Sequence, residues 1–286
     1  LANIISLFLS SIVKIILILY EAPLIAFAWA VLFDSVVLAI GFVHFYSQNH
    51  LSFKDWKFEN RTAINLVKDS WPLILSGIVV MIQARIDQVM LKEMVDTKEV
   101  GYYSVALRLI EVFGFIPIIL NNSLFPALAN AKNISEETYK YRFLNYYRLS
   151  FLLFIITAIP IFIFAEQVTI LLYGIEYQPA GALLSLMAIR LFFTNTGVAR
   201  GSFINIENLF RFSLITMTFG TIVNVVLNYI LIPHYQSHGA IIASIISFFI
   251  TTFLIDIIYN KTRGNVILQL KGMLTFYKIN PSTKIV

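Results

Sequence analysis

The stretches WPLILSGIVVMIQARIDQVML (71–91) and GYYSVALRLIEVFGFIPIILNNSLFPAL (101–128) decide the fold. Each is an apolar run long enough to cross a bilayer as a helix, because about 20 residues at about 1.5 Å rise cover a hydrocarbon core of about 30 Å. Each also carries charge in its interior: Arg85 and Asp87 in the first, Arg108 and Glu111 in the second. An ionised side chain within a spanning helix is costly, so its presence points to a partner or a wet cavity.

Outward from these two runs the pattern repeats to both ends. The 286 residues are 58% hydrophobic and 13% charged, with a mean hydropathy of +0.80. A soluble domain carries about 25% charge. The apolar runs are continuous rather than alternating, which excludes a β-barrel reading and leaves an all-α polytopic membrane protein. Eight spans are expected, at roughly 1–20, 23–46, 70–91, 101–128, 144–165, 180–200, 212–232 and 239–259. Pro117 should free a carbonyl and kink its helix. The chain opens with Leu1 inside an apolar run and lacks a signal-peptide pattern there, so residues 1–20 read as a helix of a truncated or longer frame. Cysteine is absent, which removes disulfide and thiol chemistry.

Charge distribution orients the spans. Fifteen Lys and Arg residues fall to one set of connections: Lys54, Lys57, Arg61, Lys68, Lys132, Lys140, Arg142, Arg148, Arg200, Arg211, Lys261, Arg263, Lys271, Lys278 and Lys284. The opposite set holds only Lys92 and Lys98, and Lys14, Arg85, Arg108 and Arg190 lie within spans. That bias places the basic connections and the C-terminus in the cytoplasm. It also accounts for the net charge of +5 as a topology signal rather than a nucleic-acid surface. Residues 47–69 read as a cytoplasmic amphipathic linker, with Phe53, Trp56 and Phe58 among charges, leading into a helix start at Ser70-Trp71-Pro72. Residues 261–286 read as a basic cytoplasmic tail, interfacial or partly disordered, and too polar for a ninth span.

The intramembrane polar residues are the candidate functional groups. Arg85 and Arg108 lie in the outer halves of their spans, where they either snorkel or line a cavity. Glu111 is three residues from Arg108 on one helix face and is a candidate orienting or ion-coupling acid. Asp87, two residues from Arg85, points elsewhere and should pair with another helix or sit at the interface. Arg190 lies near the middle of its span, and Lys14 is a further candidate. Both could line a cavity with Arg85 and Arg108, or Arg190 could pair with Asp34 or Glu111. Several cations together suit an anion, and the guanidinium fork suits phosphate. Asn121 and Asn122 follow Pro117 and either support the kink or contact sugar hydroxyls. Asn224 and Asn228, four apart, should hydrogen-bond between helices. No nucleotide loop, hydrolase motif or metal-binding motif is present in the sequence, so neither enzymatic chemistry nor a cofactor is expected.

Three pieces carry a family resemblance: SWPLILSG (70–77), ARIDQVML (84–91) and VGYYSVALRLIEVFGFIP (100–117). With LLYGIEYQPAGALLSLMAIRLFF (171–193) and the run from Gly220 to Ala240, they resemble the polysaccharide-biosynthesis flippases of the multidrug and toxin extruder superfamily. The resemblance implies two six-helix lobes around a central cavity. Residues 70–260 would be the C-terminal lobe and residues 1–46 the last two helices of the N-terminal lobe. It implies alternating-access transport of undecaprenyl-pyrophosphate-linked oligosaccharides across a bacterial inner membrane, for O-antigen, capsule or related polymers. Arg85, Arg108, Arg190 and Lys14 would then meet the pyrophosphate. Glu111, Asp87 and Asp34 would orient these cations or couple H+ or Na+. Polysaccharide polymerase and chain-length proteins would be partners. The alternatives are an ion-coupled exporter of small amphiphiles on the same fold, a membrane-embedded glycan polymerase or ligase, and an inactive fragment.

Overall fold

The computed structural model describes residues 2–48 and 56–279, and every regular element among them is helical. The chain divides into two compact units, Leu1–Val67 and Lys68–Val286. The first holds α1 (Ala2–Leu19) and α2 (Leu24–Gln48), joined by a tight turn in which Glu21 adopts φ 49°. Small residues let these helices touch: Ala2, Ser6 and Ser10 are buried on α1, and a Cβ on Gly41 would lie 3.0 Å from the Ala2 Cβ. The Ser6 hydroxyl donates to both the carboxylate and the backbone carbonyl of Asp34.

The unit boundary falls inside α3 (Asn60–Met94). The helix start differs from the one expected. The helix begins at Asn60 rather than at Ser70, with the Thr62 hydroxyl donating to Glu59 at its start. Nothing in residues 60–69 breaks helical geometry, so the polar lead-in propagates as the first turns of a spanning helix. The rest of that reading, residues 49–55 with Phe53 and Lys54, lies outside the described residues.

In the second unit, α4 (Thr97–Glu111) starts at Asp96, whose side chain accepts the Glu99 N–H. A 3-10 turn at Val112–Gly114 joins it to α5 (Phe115–Ile134). The turn lies one helical turn before the buried Pro117, where the missing N–H and the ring disturb the ladder. Ser135 caps α6 (Glu136–Tyr173), which ends at Gly174, φ 90°. A short 3-10 turn leads to α7 (Gln178–Met187) and α8 (Arg190–Ile206), which bend by 42° at the break between them.

Among the described residues six helices are long and apolar enough to cross a membrane, or seven when the bent pair counts as one span. The last of the six, Phe210–Ile258, has 49 residues, and at about 1.5 Å each it would be more than twice a bilayer core in length. It contains α9 (Phe210–Phe249), a π-helical turn at Ile250–Leu254 and α10 (Ile255–Ile258). Gln236 breaks α9 at φ 50°, ψ −131°, and the chain turns back there. Three contacts establish the reversal: a Cβ on Gly239 would meet the Leu231 carbonyl at 2.6 Å, Asn224 donates to Ser244 at 3.2 Å, and Ser247 donates to the Gly220 carbonyl at 2.6 Å. The two arms of α9 are therefore antiparallel, and the expected eight spans are present. The chain is an all-α, multi-pass membrane protein.

The tail differs from expectation. Residues Asn260–Leu274 form α11, which packs along α6 and buries Thr262, Asn265, Val266, Gln269 and Gly272. A Cβ on Gly272 would lie 2.6 Å from the Tyr147 Cβ, so glycine permits the contact. Arg148, treated above as a connection cation, is buried and donates to Thr275 at 2.9 Å and to the Lys278 carbonyl at 3.3 Å. The buried face of α11 is polar, so hydropathy alone does not reveal it as a packing surface. Residues 280–286 lie outside the described part.

Candidate functional site

Helix α4 presents two faces, and they separate packing from chemistry. Tyr103, Leu107 and Ile110, at helical spacing, are buried in a core with Leu91 of α3, Leu183, Leu184 and Met187 of α7, and Ile241 of α9. Ser104, Arg108 and Glu111 share the other face and line an open basin of about 330 Å³ with Arg85 and Gln88 of α3 and Tyr173 of α6. Gln88 donates to the Ser104 hydroxyl at 2.8 Å and fixes α3 against α4. The sequence reading paired Glu111 with Arg108. The structure pairs it with Arg85 instead, at 3.8 Å, because residues on adjacent antiparallel helices approach each other more directly than two side chains leaning along one helix. The Arg85 side chain keeps 58% of its surface exposed, so this pair is loose and its cation stays available. No acid among the described residues forms an ion pair with Arg108.

One step along α3 from Arg85, Asp87 faces the opposite way and is 2% exposed. Its carboxylate accepts three hydrogen bonds: from the Tyr103 hydroxyl at 2.6 Å, the Ser244 hydroxyl at 2.6 Å and the Asn228 amide at 2.7 Å. Three neutral donors hold a buried acid with no cation touching it. Arg190, the first residue of α8, reaches the network indirectly by donating to the Tyr103 hydroxyl at 3.3 Å, and its guanidinium lies 5.6 Å from the Phe248 ring centre. Asn224 donates to Ser244, so both asparagines belong to the network. The Asn228 amide nitrogen faces the carboxylate, and its buried carbonyl oxygen has no partner.

The predicted residues thus fall into separate places. Arg85, Arg108 and Glu111 share the basin. Asp87 and Arg190 share the buried network, joined through Tyr103. Among the described residues Arg190 forms no ion pair with Glu111. Asp34 belongs to the first unit, held by Ser6, and Lys14 is half-buried there. Asn121 accepts from Tyr146 at 3.1 Å and from Ser202, which makes it an inter-helix tie between α5, α6 and α8. Asn122 is exposed. Sequence reasoning missed Tyr103, Ser244 and Gln88, because a hydroxyl or amide within an apolar span is common and names no partner.

It also missed Asp256. This residue is fully buried and takes two hydrogen bonds from Arg200, each 2.7 Å, in a bidentate pair. Arg200 had been assigned to a connection; it is 6% exposed. The π-helical turn at 250–254 shifts the helix register just before Asp256.

The second unit is thus a helical membrane bundle that carries an arginine-lined basin and a buried acid network. Residues 1–182 match the polysaccharide biosynthesis protein family, and the chain belongs to that family. No curated protein matches the sequence.

Proposed function

We propose that the protein is a flippase that moves oligosaccharide repeat units linked to undecaprenyl pyrophosphate from the cytoplasmic to the outer leaflet of a bacterial inner membrane, supplying O-antigen, capsule or a related surface polysaccharide. The observation that carries this reading is the open basin of Arg85, Arg108, Glu111, Gln88 and Ser104 within spanning helices of a polysaccharide-biosynthesis family member. Guanidinium groups donate paired hydrogen bonds to phosphate oxygens, and amide and hydroxyl groups beside them suit sugar hydroxyls. Glu111 limits the net charge of the basin, which favours release as well as capture.

The cycle needs no bond to be made or broken. The pyrophosphate enters from the cytoplasmic side, the side of the basic connections; with the buried Arg148 and Arg200 set aside, the 13-to-2 bias of basic residues supports that orientation. The glycan follows into the wet cavity while the polyprenyl chain stays in lipid, and rocking of the lobes opens the cavity outward. Asp87 couples the cycle to an ion gradient. Binding of H+ or Na+ at its carboxylate changes the charge beside Tyr103 and so the hold on Arg190. Polysaccharide polymerase and chain-length proteins receive the product outside.

The test is movement of a lipid-linked oligosaccharide across vesicles containing the protein expressed from its full reading frame. Replacing both basin arginines, Arg85→Ala with Arg108→Ala, should lower the transport rate about 100-fold or more if each loses a charge-assisted contact of roughly 1.5–3 kcal/mol. Undiminished transport by a folded double variant would overturn the assignment.

A further inference from the structure

A second concave site lies at the opposite end of the same helices, where spans begin and end. Lys68 and Trp71 stand shortly before the Ile74–Met94 span, and Phe210 and Ile258 bound the last one. Lys68, Trp71, Asn208, Arg211, Phe212 and Tyr259 enclose a basin of about 350 Å³, within the size range of small-ligand sites. Two cations face it, and no acidic side chain among the described residues lines it.

Two acids of the adjoining helix ends, Glu207 and Asp256, are already committed. Glu207 holds Lys132 at 2.9 Å and accepts the Tyr139 hydroxyl at 2.9 Å. Asp256 is saturated by Arg200. Neither Lys68 nor Arg211 has an ion-pair or hydrogen-bond partner among the described residues. Aromatic walls complete the basin: Phe212 and Tyr259 stack at 4.5 Å between ring centres, with Trp71 also lining the site. Tryptophan and tyrosine at span ends sit at headgroup level, and lysine and arginine there attract anionic lipid. Asn208, at φ 55°, turns the chain sharply between α8 and α9 and leaves the concavity open.

We propose that this basin binds the phosphate of a membrane lipid, with Lys68 and Arg211 on the anion and the aromatic rings against the first carbons of the lipid chains. The site is separate from the Arg85–Arg108 basin and does not depend on what that basin carries. It takes phosphate from one of two sources, a bilayer phospholipid or a prenyl diphosphate, and the experiment separates them.

The measurement is lipid retention by the delipidated, purified full chain, read by native mass spectrometry after addition of phosphatidylglycerol, phosphatidylcholine, farnesyl diphosphate or inorganic phosphate. The wild type should retain phosphatidylglycerol or farnesyl diphosphate about 30-fold better than phosphatidylcholine, because each of the two cations gains roughly a fivefold preference at an anionic headgroup. Preference for the first identifies a bilayer lipid, and preference for the second a prenyl carrier; both uphold the site. Lys68→Gln with Arg211→Gln should lose that retention while keeping the lipid-free melting temperature. Lys68→Arg with Arg211→Lys, which keeps both charges, should preserve it. Equal retention by the neutral and charge-keeping pairs overturns the proposal, as does inorganic phosphate bound as tightly as either lipid.

Discussion

Asp87 and Asp256 are the two acids buried in the second unit among the described residues, and they are held in opposite ways. Asp256 sits in a bidentate pair with Arg200 and is electrically closed. Asp87 is wrapped by two hydroxyls and an amide, with its nearest cation one hydroxyl away. A paired charge has little to gain from a mobile ion. Asp87, held by neutral donors, has no counter-charge in direct contact. Under the proposed function the contrast separates a rivet, Asp256, from a switch, Asp87.

The largest effect on stability should come from Asp256→Ala. Removing one partner of a buried pair leaves the other charge uncompensated, which costs roughly 3–5 kcal/mol. Thermal unfolding in detergent should show a large fall in melting temperature. The double change Arg200→Met with Asp256→Leu should recover most of it, because nothing charged then remains to be desolvated. A single variant as stable as the wild type would break the comparison, since Asp256 would then be no rivet.

The next effect concerns the bridge. Tyr103→Phe removes the hydroxyl that donates to Asp87 at 2.6 Å and accepts from Arg190 at 3.3 Å, while leaving the packed ring in place. The loss should be about 1.5–3 kcal/mol, the range for a hydrogen bond to a charged group. Arg190 would keep its position over Phe248 but lose its link to Asp87. If the melting temperature and the ion dependence of transport are both unchanged, the indirect connection between the two residues carries nothing.

How much of this was legible in the sequence depends on the length scale of each signal. Apolar run length and charge bias read out the spans, because the bilayer imposes both. The reversal at Gln236 left its mark as two apolar runs flanking HYQSHG, even though the helical ladder barely breaks there. Pairings were less legible. Glu111 looked like the partner of Arg108 by its spacing, yet Arg85 of the adjacent helix lies closer. Arg200 looked like a topology cation because it ends an apolar run, and Asp256 drew no attention for the same reason. Residues 261–274 looked like loose tail because their packing face is made of Thr262, Asn265 and Gln269 rather than aliphatics. In each case the deciding partner comes from a distant part of the chain, and local pattern holds no record of it.

The smallest effect on stability should be the largest on function. Asp87→Asn keeps the shape of the side chain. Its oxygen can still accept the Asn228 amide in place of the 2.7 Å bond. Its new amide nitrogen can donate to the Tyr103 and Ser244 hydroxyls, which rotate to accept. All three contacts survive, so the cost should stay under about 1 kcal/mol. What disappears is the charge. Transport measured in vesicles with and without an imposed H+ or Na+ gradient should therefore lose its gradient dependence while the protein melts near the wild-type temperature. A variant that unfolds would make Asp87 a second rivet. A folded variant that still responds to the gradient would move the switch elsewhere in the molecule, with Glu111 of the arginine basin as the next acid to change.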